Sequence, residues 1–197
     1  MSKPNKKILL ILGHPRQNSF CGSLADAYLK GAQDAGHKIQ TLYLGELNFN
    51  LILWDTQATT AKQILEPCLA DAREKIKWAD HLVFVYPTWW SSMPALLKGF
   101  LDRVFTTGFA FKYRKKGILP ERFLTGKTLR LIITMDTRPW VYQWLLGNIH
   151  KKEMRNLAVF CGIDSPRTTY LGPIKFSSLA QRQKWLEQIY KLGKSAK

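Results

Sequence analysis

Cysteine is scarce in this chain. Cys21, Cys68 and Cys161 are the only three among 197 residues, and they lie far apart. That spacing excludes the common metal-binding cysteine sets, and no metal is expected. A sparse, odd count fits a reducing compartment with buried thiols and no disulfide framework. Long apolar runs are missing too. "ILLIL", after the basic "MSKPNKK", is too short for a signal-peptide core, and nothing approaches the roughly 18–20 apolar residues of a membrane span. A cytoplasmic protein is expected. No Gly/Ser-rich, Pro-rich or charge-run linker and no internal repeat divides residues 1–197, so one domain is expected. The nucleotide-binding signatures G-x-x-x-x-G-K-[ST] and G-x-G-x-x-G are absent as well.

Acidic residues are few: 14 Asp and Glu stand against 30 Lys and Arg, a formal net charge of +16. Such a field draws anions, whether phosphorylated cofactors, nucleic acid or anionic lipid. The cations are scattered, with concentrations at "KYRKK" (112–116) and "HKKEMR" (150–155). No nucleic-acid-binding module is present and the aromatics do not interleave with a basic stripe, so nucleic acid is not an expected partner. Contact with an anionic membrane or a transporter stays open.

What is present is a core-forming chain, 46% hydrophobic and 12% aromatic. Short apolar runs recur at long spacing: "KILLIL" (7–12), "KIQTLYL" (38–44), "HLVFVY" (81–86), "TLRLIIT" (128–134) and "RTTYLG" (167–172). The first, third and fourth are nearly continuous in Leu, Ile and Val, as in parallel strands covered on both faces. Helical patterns separate them, at 19–36, 59–80 with an interruption before Pro67, 93–105, 140–162 and 177–193. In the first, Phe20, Leu24, Ala27, Tyr28 and Ala35 form the apolar stripe and Gly36 is the stop. The alternation predicts an α/β three-layer sandwich: a five-stranded parallel sheet of flavodoxin-like order 2-1-3-4-5 with helices on both faces. Ligands of such sheets bind at the carboxyl ends of the strands, where the winding reverses.

The loops at those ends are unusual. "GHPRQNSF" (13–20) leaves the first strand through Gly13, offers Asn18 or Ser19 as a helix cap, and adds His14 and Arg16 as donors beside a helix N-terminus, a phosphate site. "YPTWWSSMP" (86–94) leaves the third strand with two adjacent tryptophans. Consecutive side chains cannot face one core, so one is expected to pack while the other forms a flat wall against a planar ligand. "TMDTRPWVYQW" follows the fourth strand. Asp102 and Arg103 are consecutive helical residues, expected to serve packing or surface pairing.

"LGHPRQNSFCGSLADAY", "HLVFVYPTWWSSMPALLKGFLDRVF" and "GFAF" (108–111) together resemble the flavodoxin-like NAD(P)H:quinone oxidoreductase family, over residues 6–193. The family includes modulator-of-drug-activity and potassium-efflux ancillary proteins. The resemblance implies a bound flavin, FMN or alternatively FAD, and two-electron hydride transfer from NAD(P)H through it to a quinone by a ping-pong mechanism. It also implies a homodimer with the active site near the interface. His14, Ser19, Phe20 and Cys21 match the flavin phosphate loop, to which charge and position add Arg16; many relatives have Asn where Cys21 stands. Pro87, Thr88, Trp89 and Trp90 match the loop against the isoalloxazine ring. The third flavin loop of the family reads T-T-G-G. Here Thr134, Met135, Asp136 and Thr137 replace it without a glycine, which puts close approach of this backbone to the ring in doubt. Tyr142 keeps the family spacing and His150 lies slightly late; both are candidate proton donors. On the residues alone, Tyr142 also reads as a surface aromatic, and His150 as a solvent-exposed histidine at a basic helix end. Backbone N–H groups of the second and third loops are expected to stabilise the reduced ring. Two alternatives are a flavin-binding regulatory subunit of a membrane transporter and a flavodoxin-like electron carrier.

Overall fold

The computed structural model describes residues 5–54, 63–117 and 120–196. Strands β1 (Lys7–Leu12), β2 (Lys38–Tyr43) and β3 (His81–Pro87) alternate with helices α1 (Phe20–Asp34) and α2 (Pro67–Trp78). Helix α3 (Ala95–Val104) leads into a short antiparallel pair, β4 (Phe111–Lys112) and β5 (Glu121–Arg122). Then come β6 (Thr128–Thr134), α4 (Pro139–Trp144), α5 (Ile149–Cys161), β7 (Arg167–Leu171) and α6 (Leu179–Ser195). The main sheet has the order β2-β1-β3-β6-β7, parallel throughout, which is the expected 2-1-3-4-5 when its five strands are counted alone.

Continuous apolarity in β1, β3 and β6 has the cause inferred for it. Leu9, Ile11, Phe84 and Leu131 meet the layer of α2, α3 and α5, whereas Ile8, Leu10, Val83 and Ile132 meet α1 and α6. Ser19 caps α1 by accepting from the Gly22 N–H at 3.1 Å, and Gly36 follows its end at φ 77°. The buried stripe of α1 runs through Cys21, Leu24, Ala25, Tyr28 and Ala32, with Phe20 and Ala27 partly buried against the same core, while Ala35 lies past the end of the helix.

Several expected boundaries moved. Residues 63–66 are not helical and α2 starts at Pro67, while 59–62 lie outside the described residues. The predicted helix over 140–162 is two helices, because Gly147 and Asn148 take left-handed backbone (φ 77° and 52°). The β4–β5 pair was not foreseen, since two-residue strands carry no periodicity. Cys21 and Cys161 are buried thiols as expected, but Cys68 is only half-buried. Asp102 pairs with Lys98 on the surface at 2.6 Å, whereas Arg103 is buried and binds Glu66 at 2.6 Å and the Ile64 carbonyl at 2.9 Å. Arg103 thereby ties α3 to the chain entering α2.

The α1–α6 layer depends on backbone contact. A Cβ on Gly31 would lie 2.0 Å from the Tyr190 carbonyl oxygen, and one on Gly193 would lie 2.1 Å from that of Tyr28. Each helix thus uses a glycine to seat the other. In an isolated helix Gly→Ala stabilises by about 1 kcal/mol. Here the methyl must push two main chains apart, which costs about 1–3 kcal/mol and more where backbone cannot yield. Gly31→Ala and Gly193→Ala are each expected to lower the urea midpoint; a raised midpoint would show that the helices separate freely.

Candidate active site

The loops after β1, β3 and β6 converge on a cavity of about 320 Å³ at the carboxyl edge of the sheet. Its wall holds every expected cofactor-binding residue except Trp90: His14, Arg16, Ser19, Phe20, Cys21, Pro87, Thr88, Trp89, Thr134, Met135 and Asp136, joined by Ile174. No sequence signal marked Ile174, which enters from the segment after β7.

The first loop is built by its own bonds. The Arg16 N–H donates to His14 Nδ1 at 3.0 Å, and the Ser19 hydroxyl donates to the Arg16 carbonyl at 3.0 Å. Because Ser19 satisfies the Gly22 N–H, the first-turn N–H groups of Phe20 and Cys21 are left without intrahelical acceptors at the positive end of a 15-residue helix. A helix end of that kind is suited to an anion. Partial burial, reinforced by the Arg16 charge, lowers the pKa of His14, which favours its neutral form. Cys21 Sγ lies 3.2 Å from Thr134 Oγ1, and burial pushes the thiol up to about 11, so it stays protonated.

The second loop differs from expectation: neither tryptophan packs. Trp89 is 46% exposed and Trp90 fully so. The cause is a two-residue turn in which the N–H groups of Trp89 and Ser92 donate to each other's carbonyls at 2.9 and 3.0 Å. The turn puts Trp90 (φ 49°) and Ser91 (φ 63°) in the left-handed region, which costs roughly 1–2 kcal/mol per residue. Helices α4 and α5 hold it there. Tyr142 Oη donates to the Ser91 carbonyl at 2.9 Å, and the Ser92 hydroxyl donates to the Glu153 carboxylate at 3.0 Å. Trp89 lines the cavity and meets the His14 ring edge-on across its mouth, at 6.2 Å between centroids.

Tyr142 and His150 sit behind this wall rather than on it. The surface readings of both fail: Tyr142 is 1% exposed and His150 fully buried. Their helices tuck under the second loop, so that the Tyr142 hydroxyl accepts from the His150 N–H at 3.0 Å while His150 Nε2 meets Thr88 Oγ1 at 2.9 Å. Tyr86 and Tyr170 complete an aromatic cluster around them. Burial holds His150 down at about 4, so it is neutral at pH 7.

The expected N–H donors of the second and third loops are largely committed elsewhere. Thr88 N–H donates to the Thr134 carbonyl at 2.7 Å, Trp89 N–H to Ser92, and Met135 N–H to the Leu171 carbonyl at 2.9 Å. The third loop leans on the segment after β7, where the close-approach glycine is found: a Cβ on Gly172 would lie 2.5 Å from the Met135 carbonyl oxygen. Asp136 is drawn the same way, accepting from the Lys175 N–H at 2.8 Å.

These features coincide with the results of comparison. Residues 6–192 match the family described as "Flavodoxin-like fold", and the chain belongs to that family. It is 32% identical to an NAD(P)H oxidoreductase of Escherichia coli over 85% of this chain and 84% of that protein. It is also 32% identical to a ribosyldihydronicotinamide dehydrogenase-like protein of Penicillium crustosum, over 66% of this chain; the match spans 57% of the fungal protein. Among solved structures, the NAD(P)H:quinone oxidoreductase of Methanothermobacter marburgensis superposes with a TM-score of 0.77 at 25% identity, covering 98% of this chain and 100% of that one.

The buried imidazole sets a pH dependence. Unfolded, His150 takes up a proton near pH 6.5; folded, it resists until about pH 4. Its contribution is therefore complete above pH 6.5 and declines as pH falls towards 4, by about 3 kcal/mol over that window. His150→Gln is expected to flatten the fall of unfolding free energy between pH 6.5 and 4, measured by urea titration at each pH. An unchanged slope would mean that the ring is already solvated.

Proposed function

We propose that residues 1–197 act as one flavin-dependent NAD(P)H:quinone oxidoreductase. The observation that carries this reading is the cavity itself, with an anion-receiving helix end on one side and a wall of Pro87, Thr88, Trp89 and Met135 on the other. The residues suit a flavin mononucleotide: Phe20, Cys21 and Arg16 would hold its phosphate, and the second loop would carry its ring. Relatives of this fold are solved with FMN bound, and FMN rather than FAD is the cofactor assigned here. When bound, the flavin supplies two-electron hydride acceptance from NAD(P)H and donation to the quinone. The chain's part is to bind and orient. The tryptophan turn leaves one open side over the wall, where NAD(P)H and quinone take turns in a ping-pong sequence. Tyr142 and His150 act as positioning residues: through Thr88 and Ser91 they hold the wall and keep neutral donors behind it. Asp136 lines the same cavity, with one carboxylate oxygen accepting from the Lys175 N–H.

A homodimer belongs to this reading. The Tyr142–Ser91 bond brings α4 beside the turn that carries Trp90, and Trp144 (84% exposed) and Leu145 (73% exposed) at the end of α4 are bare. A neighbouring apolar groove of about 770 Å³ runs along Leu101, Phe105, Phe111 and Phe160. A second copy covers both. Among the described residues no helix is long and apolar enough to cross a membrane. The three cysteines form no disulfide, in keeping with the cytoplasm as the compartment.

The purified protein is expected to be yellow, to release FMN on denaturation, and to be bleached anaerobically by NAD(P)H in stopped flow. A protein that takes up no flavin sinks the assignment. Ser19→Asp places a carboxylate at the phosphate end and is expected to weaken FMN binding at least tenfold, as read by flavin fluorescence during dialysis. Sedimentation velocity is expected to give a dimer that Leu145→Glu dissociates. A monomer that binds anionic vesicles would instead assign the aromatic rim to a membrane.

A further inference from the structure

The opposite end of the sheet carries a second polar cavity, of about 410 Å³, that shares no wall residue with the first. Lys6, His37, His81, Asp164 and Arg167 lie on it, where the strands begin.

Register concentrates positive charge there. Arg130 on β6 pairs directly with Arg167 on the edge strand β7, so two guanidinium-bearing residues are lateral neighbours. Both fall on the α1–α6 face, two residues ahead of Ile132 and Thr169. Like charges in direct register repel. Arg130 Nη1 reaches Thr169 Oγ1 at 3.4 Å, and Lys6 Nζ donates to the Ala196 carbonyl at 3.0 Å. Among the described residues, Asp164 is the one acidic residue on the wall and no ion pair includes Arg167.

His37 supplies a second, independent mark. Its Nδ1 accepts from the Lys6 N–H at 3.2 Å, so the neutral ring carries its proton on Nε2. That Nε2 is sealed from solvent and has no hydrogen-bond acceptor among the described residues. A buried donor without an acceptor is costly, and the residue that carries it lines the cavity, where an accepting ligand would satisfy it. His81 cannot fill the need, because its two nitrogens already meet Thr128 Oγ1 at 2.6 Å and Tyr28 Oη at 3.1 Å. Burial, together with the charges of Lys6, Arg130 and Arg167, holds its pKa down at about 3. The His81 imidazole therefore stays neutral at pH 7.

We propose that this cavity is a phosphate site, in which Arg167 and His37 Nε2–H bind the oxyanion of a small phosphorylated molecule or of free phosphate within the field of Lys6 and Arg130. The site lies at the far edge of the sheet from the flavin cavity, so its occupation is separable from flavin binding and from turnover.

The experiment uses flavin-loaded protein, in which the helix α1 phosphate site is filled. Inorganic phosphate, and separately AMP, are titrated at constant ionic strength by calorimetry, with chloride as the control. Saturable binding of one anion per chain is expected, weakened about tenfold or more in Arg167→Gln and in His37→Phe, with flavin content unchanged. Arg167 is exposed on an edge strand, so its replacement leaves the core intact even if His37→Phe does not fold. Tighter binding of AMP than of phosphate supports a phosphomonoester ligand, and the reverse supports the free ion. Absence of saturable binding, or equal binding by wild type and Arg167→Gln, overturns the proposal.

Discussion

Parallel pairing of β1 with β2 on one side and β3 on the other is the constraint on which the rest of the molecule depends. Each crossover must be right-handed, so the chain leaving β1 covers one face of the sheet and the chain entering β3 covers the other. The connections part at the carboxyl end, and the crevice between them is the cavity. Helix α1 begins there because Ser19 caps it there, which aims the positive end of the helix into the opening. The bond from Thr88 N–H to the Thr134 carbonyl extends the β3–β6 ladder past the strands and joins the second loop to the third. Fold and site are thus one hydrogen-bonded object.

The site carries local strain and is over-determined to hold it. Two non-glycine residues in left-handed backbone persist because Tyr142, Glu153 and the paired Trp89–Ser92 bonds leave the turn no alternative. The buried polar groups behind the wall are mostly satisfied by one another, with Tyr86 Oη and His150 Nδ1 the exceptions among the described residues. Orphans of that kind collect at functional sites. The third loop shows the converse economy: having no glycine of its own, it relies on Gly172 across the strand to come close to its neighbour.

Much of this was legible in the sequence, for physical reasons. Continuous apolarity in "KILLIL" and "TLRLIIT" can be buried only between two helical layers. Polar, cap-bearing loops directly after such strands mark the edge where ligands bind. Family resemblance then supplied the roles of those loops. What misled was exposure. Nothing in "TWW" says that both indoles face outward, since that follows from a tight turn held in place by residues more than fifty positions later. Nothing in "GNIHKKEMR" says that His150 is buried, because a basic helix end looks solvated until another element covers it. Two-residue strands and the contribution of Ile174 carry no local pattern at all.

Sequence alone therefore determined the layers, the strand order and the position of the cavity, because hydrophobic periodicity and right-handed crossovers are properties of local chain chemistry. Tertiary structure alone decided which donors remain available, which tryptophans stay bare and which cations crowd together. Those outcomes depend on register and on side chains meeting across long separations. Arg130 and Arg167 are thirty-seven positions apart in the chain and direct neighbours in the sheet. Only pairing could have placed them there.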